Sequence, residues 1–117
     1  MIEITPDQGF SLLQTYCQRG TALHVTGSIR GDFADSNATV VDAAPKDAEV
    51  CLRLFEEPEG LNWLCKISLA GASYWFDHFG ASQNPKEPAF ASPVSRLRIK
   101  QTDGSELLLG EEPFNFR

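Results

Sequence analysis

The segment from residue 50 to residue 69 places the strongest constraint on the fold, because it has the pattern of a complete β-hairpin. Two runs in it alternate apolar and polar side chains with a period of two, as strands with one buried face do. A four-residue loop at 56–59 aligns apolar with apolar residues and sets unlike charges opposite each other. The predicted cross-strand pairs are Leu54–Leu61, Leu52–Trp63, Val50–Cys65, Arg53–Asn62 and Glu49–Lys66.

A five-residue loop in the same hairpin would instead place Arg53 opposite Trp63 and Glu49 opposite Ile67. Charged side chains would then face the apolar row, so the four-residue loop is preferred. The two cysteines of the hairpin point to opposite faces in this register and should not form a bridge. The predicted buried face contains Val50, Leu52, Leu54, Leu61, Trp63, Cys65 and Ile67.

A helix is predicted before the strands begin. Thr5 can cap it, Pro6 suits the first helical position, and Gln8 completes a capping box. Arg19 and Gly20 supply the cation and the permissive residue that commonly end a helix. A helix over about 6–19, with one apolar face, should pack on a sheet.

Two further segments have strand patterns. Leu23 to Phe33 alternates as one strand, and its Gly27 lies on the apolar side, where glycine commonly allows a sharp bend or a close backbone contact. A turn at 34–37 and a short strand at 39–42 are predicted to follow. Residues 96–110 form a last hairpin, and a three-residue turn at 102–104 gives it the best apolar alignment.

Together these elements predict a mainly β (α+β) fold, in which six to seven antiparallel strands form a barrel-like sheet with one N-terminal helix. The 117 residues suit a single domain over 1–117, with its antiparallel β region at about 22–110.

Charge and composition limit the partners of this chain. A net charge of −6 argues against general binding to nucleic acid or to anionic membranes. No apolar run reaches the roughly 18 residues of a membrane span, and the N-terminus lacks a signal-peptide pattern, so we expect a cytoplasmic protein. The three cysteines and two histidines lack ligand spacing, so neither a metal nor another cofactor is expected.

No motif for nucleophilic catalysis is present in the sequence. Asp77 adjoins His78, but neighbours along a strand point to opposite faces, so Asp77 cannot easily orient that imidazole. The sequence favours a non-catalytic binding or protein-interaction module of unknown ligand over an enzyme. The alternative is a small enzyme or ligand-binding barrel that uses the aromatic strand 73–79 and His78 under the 80–93 loop.

A basic stripe is predicted on the first strand of the last hairpin. Arg96, Arg98 and Lys100 are spaced by two residues and therefore share one face of a strand. Such a stripe could hold an anionic group weakly and in a salt-dependent manner. The alternative is a solvent-exposed face balanced by Glu106.

An aromatic patch is the other candidate site. A turn at 70–71 would pair strand 73–79 with the strand before it, which would place Trp75 and Phe79 beside Leu64, away from the core. Phe90 of the long loop could join them. The helix, the 80–93 loop or a second copy of the chain could cover this patch, and as a functional surface it would favour a homodimer contact. The candidate ligand or interface residues are Trp75, Phe79, Phe90, Leu64 and His78.

Overall fold

The computed structural model describes residues 2–29, 32–56, 61–79 and 94–111. These residues form one helix and eight strands. In chain order the elements are β1 (Ile2–Ile4), α1 (Pro6–Arg19), β2 (Leu23–Ile29), β3 (Asp32–Ala44), β4 (Glu49–Glu56), β5 (Leu61–Ser68), β6 (Ser73–Phe79), β7 (Val94–Lys100) and β8 (Glu106–Glu111).

The ends of α1 are those that the sequence predicts. The Gln8 backbone N–H donates to Thr5 Oγ1 over 3.1 Å, and the Thr5 backbone N–H donates to Gln8 Oε1 over 2.9 Å, which completes the capping box. Gly20 ends the helix in the left-handed conformation, with φ of +61°. Both bounds therefore follow from residues within one turn of the helix ends.

The strands form one antiparallel sheet in the order β1-β6-β7-β8-β2-β3-β4-β5. The prediction of a mainly antiparallel β fold with one helix is confirmed. Only the four residues 69–72 link β5 to β6, although these strands lie near opposite ends of the sheet. The sheet must therefore curl. It does not close, because β1 and β5 remain at its two ends, so the term barrel-like applies only loosely.

Helix α1 covers one face of the curled sheet, which we call the inner face. The Phe10 ring meets the edge of the buried Tyr74 ring at a centroid distance of 6.3 Å. The Cys17 thiol donates to the Val41 carbonyl oxygen of β3 over 3.2 Å. The inner side chains of the strands and the apolar side of α1 together form the core.

The register of the central hairpin differs from the predicted one by two residues. Leu52 pairs with Cys65 and Leu54 with Trp63, so the connection is 57–60. In this register Val50 lies opposite Ile67, and the ladder runs from Glu49–Ser68 to Glu56–Leu61. A shift of two leaves every side chain on its predicted face.

Burial of the central hairpin follows the predicted alternation with one exception. The side chains of Val50, Leu52, Leu54, Cys65 and Ile67 are buried, as predicted. The predicted burial of Leu61 lies outside the described side chains. Trp63 belongs to the same face but is 44% exposed. It lies on β5, which is the last strand of the described sheet and has a strand neighbour on one side only. Cys51 pairs with Lys66 rather than with Cys65, so the two cysteines lie on opposite faces, as the alternation predicts.

The region between β2 and β4 corrects the sequence-based boundaries. The predicted strand Leu23 to Phe33 ends at Ile29, and a single strand, β3, replaces the turn and the short strand predicted at 34–37 and 39–42. The alternation of small and apolar residues runs through Ala34, Ser36, Ala38 and Val40, so the polar residues between them occupy the exposed face of a strand rather than a turn. A bulge at Val41 then shifts the pairing with β4.

The last hairpin has the predicted register. Leu97 pairs with Leu109 and Ile99 with Leu107. Gly104 has φ of +91°, and its N–H donates to the Gln101 carbonyl oxygen over 3.0 Å. The three-residue turn is therefore confirmed, since its geometry requires a positive φ at that glycine.

Candidate functional site

Strand β6 does not pair with β5, so the predicted aromatic patch does not form as described. The predicted pairing of strand 73–79 with the strand before it is wrong, since Tyr74 pairs with Ile99 of β7 and Ile4 of β1. On the inner face of β7, Leu97 lies opposite Phe76 and Ile99 lies opposite Tyr74. Leu64 therefore lies on a strand that is not a neighbour of β6.

Trp75 lies on the outer face of β6, between Glu3 of β1 and Arg98 of β7. The Arg98 guanidinium carbon is 5.3 Å from the centroid of the indole ring, within range of a cation–π interaction. Helix α1 packs on the Tyr74 side of this strand, so it does not cover Trp75.

Three of the predicted aromatic-site residues cannot be compared with the structure in full. Phe90 and the whole 80–93 loop lie outside the described residues. For His78 and Phe79 only the backbone is described, and it pairs them with Ser95 and Val94 of β7. The proposal of a ligand site under the loop therefore stays a hypothesis.

The basic stripe occupies one face of β7, as predicted. Arg96 and Lys100 are exposed, while Ser95, Leu97 and Ile99 on the other face are buried. Anion binding by this face stays a prediction.

Arg98, the central member of the stripe, forms an ion pair with Glu106 in addition to its contact with Trp75. The hydrogen bond and charge of Arg98 hold the pKa of Glu106 below its usual range. Glu106 also lies opposite Lys100. Glu106 therefore balances part of the stripe.

A buried hydrogen-bond chain joins the helix to β7 and β8, and the sequence analysis missed it. Ser95 Oγ donates to Glu111 Oε2 over 2.9 Å, so its 2.7 Å bond with Tyr16 must have the tyrosine hydroxyl as donor. The signal was a serine at an inward position of a strand whose other inward residues are aliphatic. Ser95 is buried, so its hydroxyl is not exposed to a substrate in solution.

A histidine–carboxylate pair lies on the outer face, at the pairing of β2 with β3. His24 Nε2 lies 2.6 Å from Asp35 Oδ1, and Nδ1 lies 3.3 Å from Asn37 Oδ1. Asp35 and Asn37 are two residues apart along β3, so their side chains share a face. Within the described ranges, no group of three or more His, Cys, Asp or Glu side chains could hold a metal ion.

Strand β5 presents the largest opportunity for recognition. It is an eight-residue edge strand, and among the described residues its only strand neighbour is β4. Trp63 is 44% exposed on the inner face and Leu64 is 56% exposed on the outer face. Side chains on both faces of β5 are thus exposed at this point, and no described strand pairs with the backbone on the side away from β4.

Comparison with known proteins gives no match: no family model, curated protein or solved structure is similar to this chain. Its function therefore has to be inferred from its own surface. No helix among the described residues has the length and apolarity needed to cross a membrane.

The two tyrosines of the chain should titrate above their ordinary pKa in the folded protein. Burial raises the pKa of Tyr74 to about 12, and its hydroxyl has no hydrogen-bond partner among the described residues. Burial, and secondly the charge of Glu111, raises the pKa of Tyr16. Both groups hold their protons more tightly when folded, so their contribution to stability is complete below the ordinary tyrosine pKa and is lost at higher pH. For Tyr74 the loss occurs as the pH rises toward about 12.

Ultraviolet absorbance of the phenolate measures this titration. We expect the phenolate signal of the folded protein to appear at higher pH than in denaturant, where both tyrosines should titrate near the ordinary value. The matched variant Tyr74→Phe removes an unpaired buried hydroxyl, so it should fold and shift alkaline unfolding to higher pH. Ionisation of a full tyrosine near pH 10 without unfolding would contradict the assignment.

Proposed function

We propose that this chain is a non-catalytic protein-interaction module that binds an extended segment of a partner along the edge of β5 that no described strand pairs. The observation that carries the proposal is the exposure of Trp63 and Leu64 on opposite faces of one edge strand. An added strand gains main-chain hydrogen bonds from the edge and side-chain contacts from the flanking residues.

The contrast between the two edges of the sheet supports this choice. Edge strands usually avoid pairing by being short, bulged, interrupted by proline or charged. Strand β1 is only three residues long. Strand β5 has eight residues, continuous pairing with β4, no proline and a single charge at Lys66. The β5 edge thus has most of the properties of an acceptor for another strand.

Trp63 supplies the side-chain contact most useful to a partner. Tryptophan is among the residues that contribute most to binding when a partner excludes water from them. Its indole is nearly half exposed, so a strand laid beside β5 would remove it from water. Strand addition therefore combines backbone pairing with an aromatic anchor.

Two matched variants test this proposal by fluorescence, because the chain has only two tryptophans. Trp75→Ser leaves Trp63, on edge strand β5, as the fluorophore. Trp63→Ser leaves Trp75, on β6, which has a strand neighbour on each side. The probe is the tightest binder from a library of eight-residue peptides that alternate β-branched and polar residues. We expect a saturable blue shift in Trp75→Ser and none in Trp63→Ser.

The control is the same peptide with alternate backbone nitrogens methylated, which removes the N–H donors of one edge. Loss of the blue shift with this peptide supports backbone pairing. An unchanged response to it, or equal responses from the two tryptophan variants, would contradict strand addition at β5. Circular dichroism of each variant confirms that it is folded.

A further inference from the structure

We infer that the strand received at β5 is β5 of a second copy of the chain, paired antiparallel about a two-fold axis at Leu64. This inference rests on the proposed function and names its partner. In such a pairing the two sheets become one continuous sheet, and the same edge serves both copies, as an isologous contact requires.

Alternation and length limit the positions of the two-fold axis. Paired residues share a face, so the axis must pass through a residue of the strand rather than between two residues. An axis at Trp63 or Lys66 would pair only five residues of β5, and an axis at Lys66 would set two lysines opposite each other. Axes at Leu64 and Cys65 both pair seven residues, which leaves these two.

Side-chain chemistry favours the axis at Leu64. There Leu64 meets its own copy, Trp63 meets Cys65, and Lys66 meets the amide of Asn62 on the exposed outer face. An axis at Cys65 would instead place Lys66 against Leu64. The Leu64 register therefore sets apolar side chains against each other on both faces and avoids placing the Lys66 cation against a leucine.

Charge also favours self-association at this strand over other parts of the surface. The chain has 16 aspartate and glutamate residues against 10 lysine and arginine residues, so two copies repel at long range. None of the 16 carboxylate residues lies in β5. Two copies can thus approach along this edge without bringing like-charged strand residues opposite each other.

The decisive experiment uses opposite charges at the axis. Leu64→Lys and Leu64→Glu each place two like charges directly across the two-fold axis, at an exposed position that leaves the core intact. By sedimentation velocity we expect the parent to dimerise and each variant alone to bind itself at least about tenfold more weakly. Mixing the two variants should restore a dimer, because lysine then faces glutamate.

Cysteine cross-linking tests the register independently. Leu64→Cys places two thiols opposite each other at the axis and should yield a covalent dimer on mild oxidation. The control is Lys66→Cys, on the same strand and the same face. In the Leu64 register each position 66 lies opposite residue 62 of the second copy, four residues away from the other position 66, so no cross-link through position 66 should form. A cross-link through native Cys65 in the parent would overturn the Leu64 register.

Other results overturn the inference in separable ways. A parent that stays monomeric at high concentration, while Trp63 still responds to strand peptides, overturns the second copy as partner but keeps the proposed function. A monomer whose Trp63 responds to no peptide overturns both. A dimer that tolerates Leu64→Lys and Leu64→Glu alone overturns pairing at this strand.

Discussion

Replacing Gly27 with alanine should destabilise the protein by on the order of 4 kcal/mol. A Cβ atom at this position would lie 2.1 Å from the Glu106 carbonyl oxygen, so β8 would have to move away from β2. The φ of Gly27, +126°, is also one that side chains rarely adopt. Strain and overpacking each cost about 1–3 kcal/mol, and here they add because one atom causes both.

Gly104→Ala is the matched control for this substitution. Gly104 also has a positive φ, +91°, but nothing lies within 4 Å of a Cβ built there. Its replacement should therefore cost only the conformational part, about 1–3 kcal/mol. Urea unfolding of both variants measures the difference. Equal losses of unfolding free energy in the two variants would show that β8 can move away from a side chain at position 27 without a cost in stability.

Truncating Leu52 to alanine should cost about 2–5 kcal/mol, because it leaves a cavity in the core. The Leu52 side chain is fully buried on the inner face of β4, opposite Cys65. Leu64→Ala is the matched control, since the same atoms are removed from a side chain that is 56% exposed in the same hairpin. Surface changes of this kind usually cost within about 0.5 kcal/mol.

Denaturant titration should be done at a protein concentration low enough to keep the chain monomeric. The loss of unfolding free energy in Leu64→Ala then reflects the stability of the monomer alone, without a contribution from dimerisation. A small effect in Leu52→Ala would mean that the curled sheet collapses around the missing side chain. Similar losses in the two variants would contradict the assignment of Leu52 to the core and Leu64 to the surface.

Features that depend on near neighbours in the chain could be predicted from the sequence. The cap of α1 needs only Thr5 and Gln8, and the last hairpin needs only Gly104 and the apolar pairs beside it. The faces of the central hairpin were also predicted, since alternation survives a two-residue shift in register. Among the predicted inward side chains of that hairpin that the structure describes, only Trp63 is exposed, because exposure depends on where its strand lies in the sheet.

Features of the candidate site depended on strand order, which alternation does not determine. The alternation of strand β6 is compatible with pairing to β5 or to β7, and in the folded chain β6 pairs with β7. That choice separated Trp75 from Leu64 and placed Trp75 beneath Arg98. Likewise, nothing near Tyr16 in the chain indicates its bond to Ser95, 79 residues away.

The sequence by itself thus determined which residues form the helix, the last hairpin and the buried faces, because hydrogen bonds and side-chain alternation act over a few residues. The tertiary structure alone decided which of the described strands lie at the ends of the sheet. A strand becomes an edge only when the rest of the sheet pairs elsewhere, and the order of this sheet leaves β5, with Trp63 and Leu64, at its end.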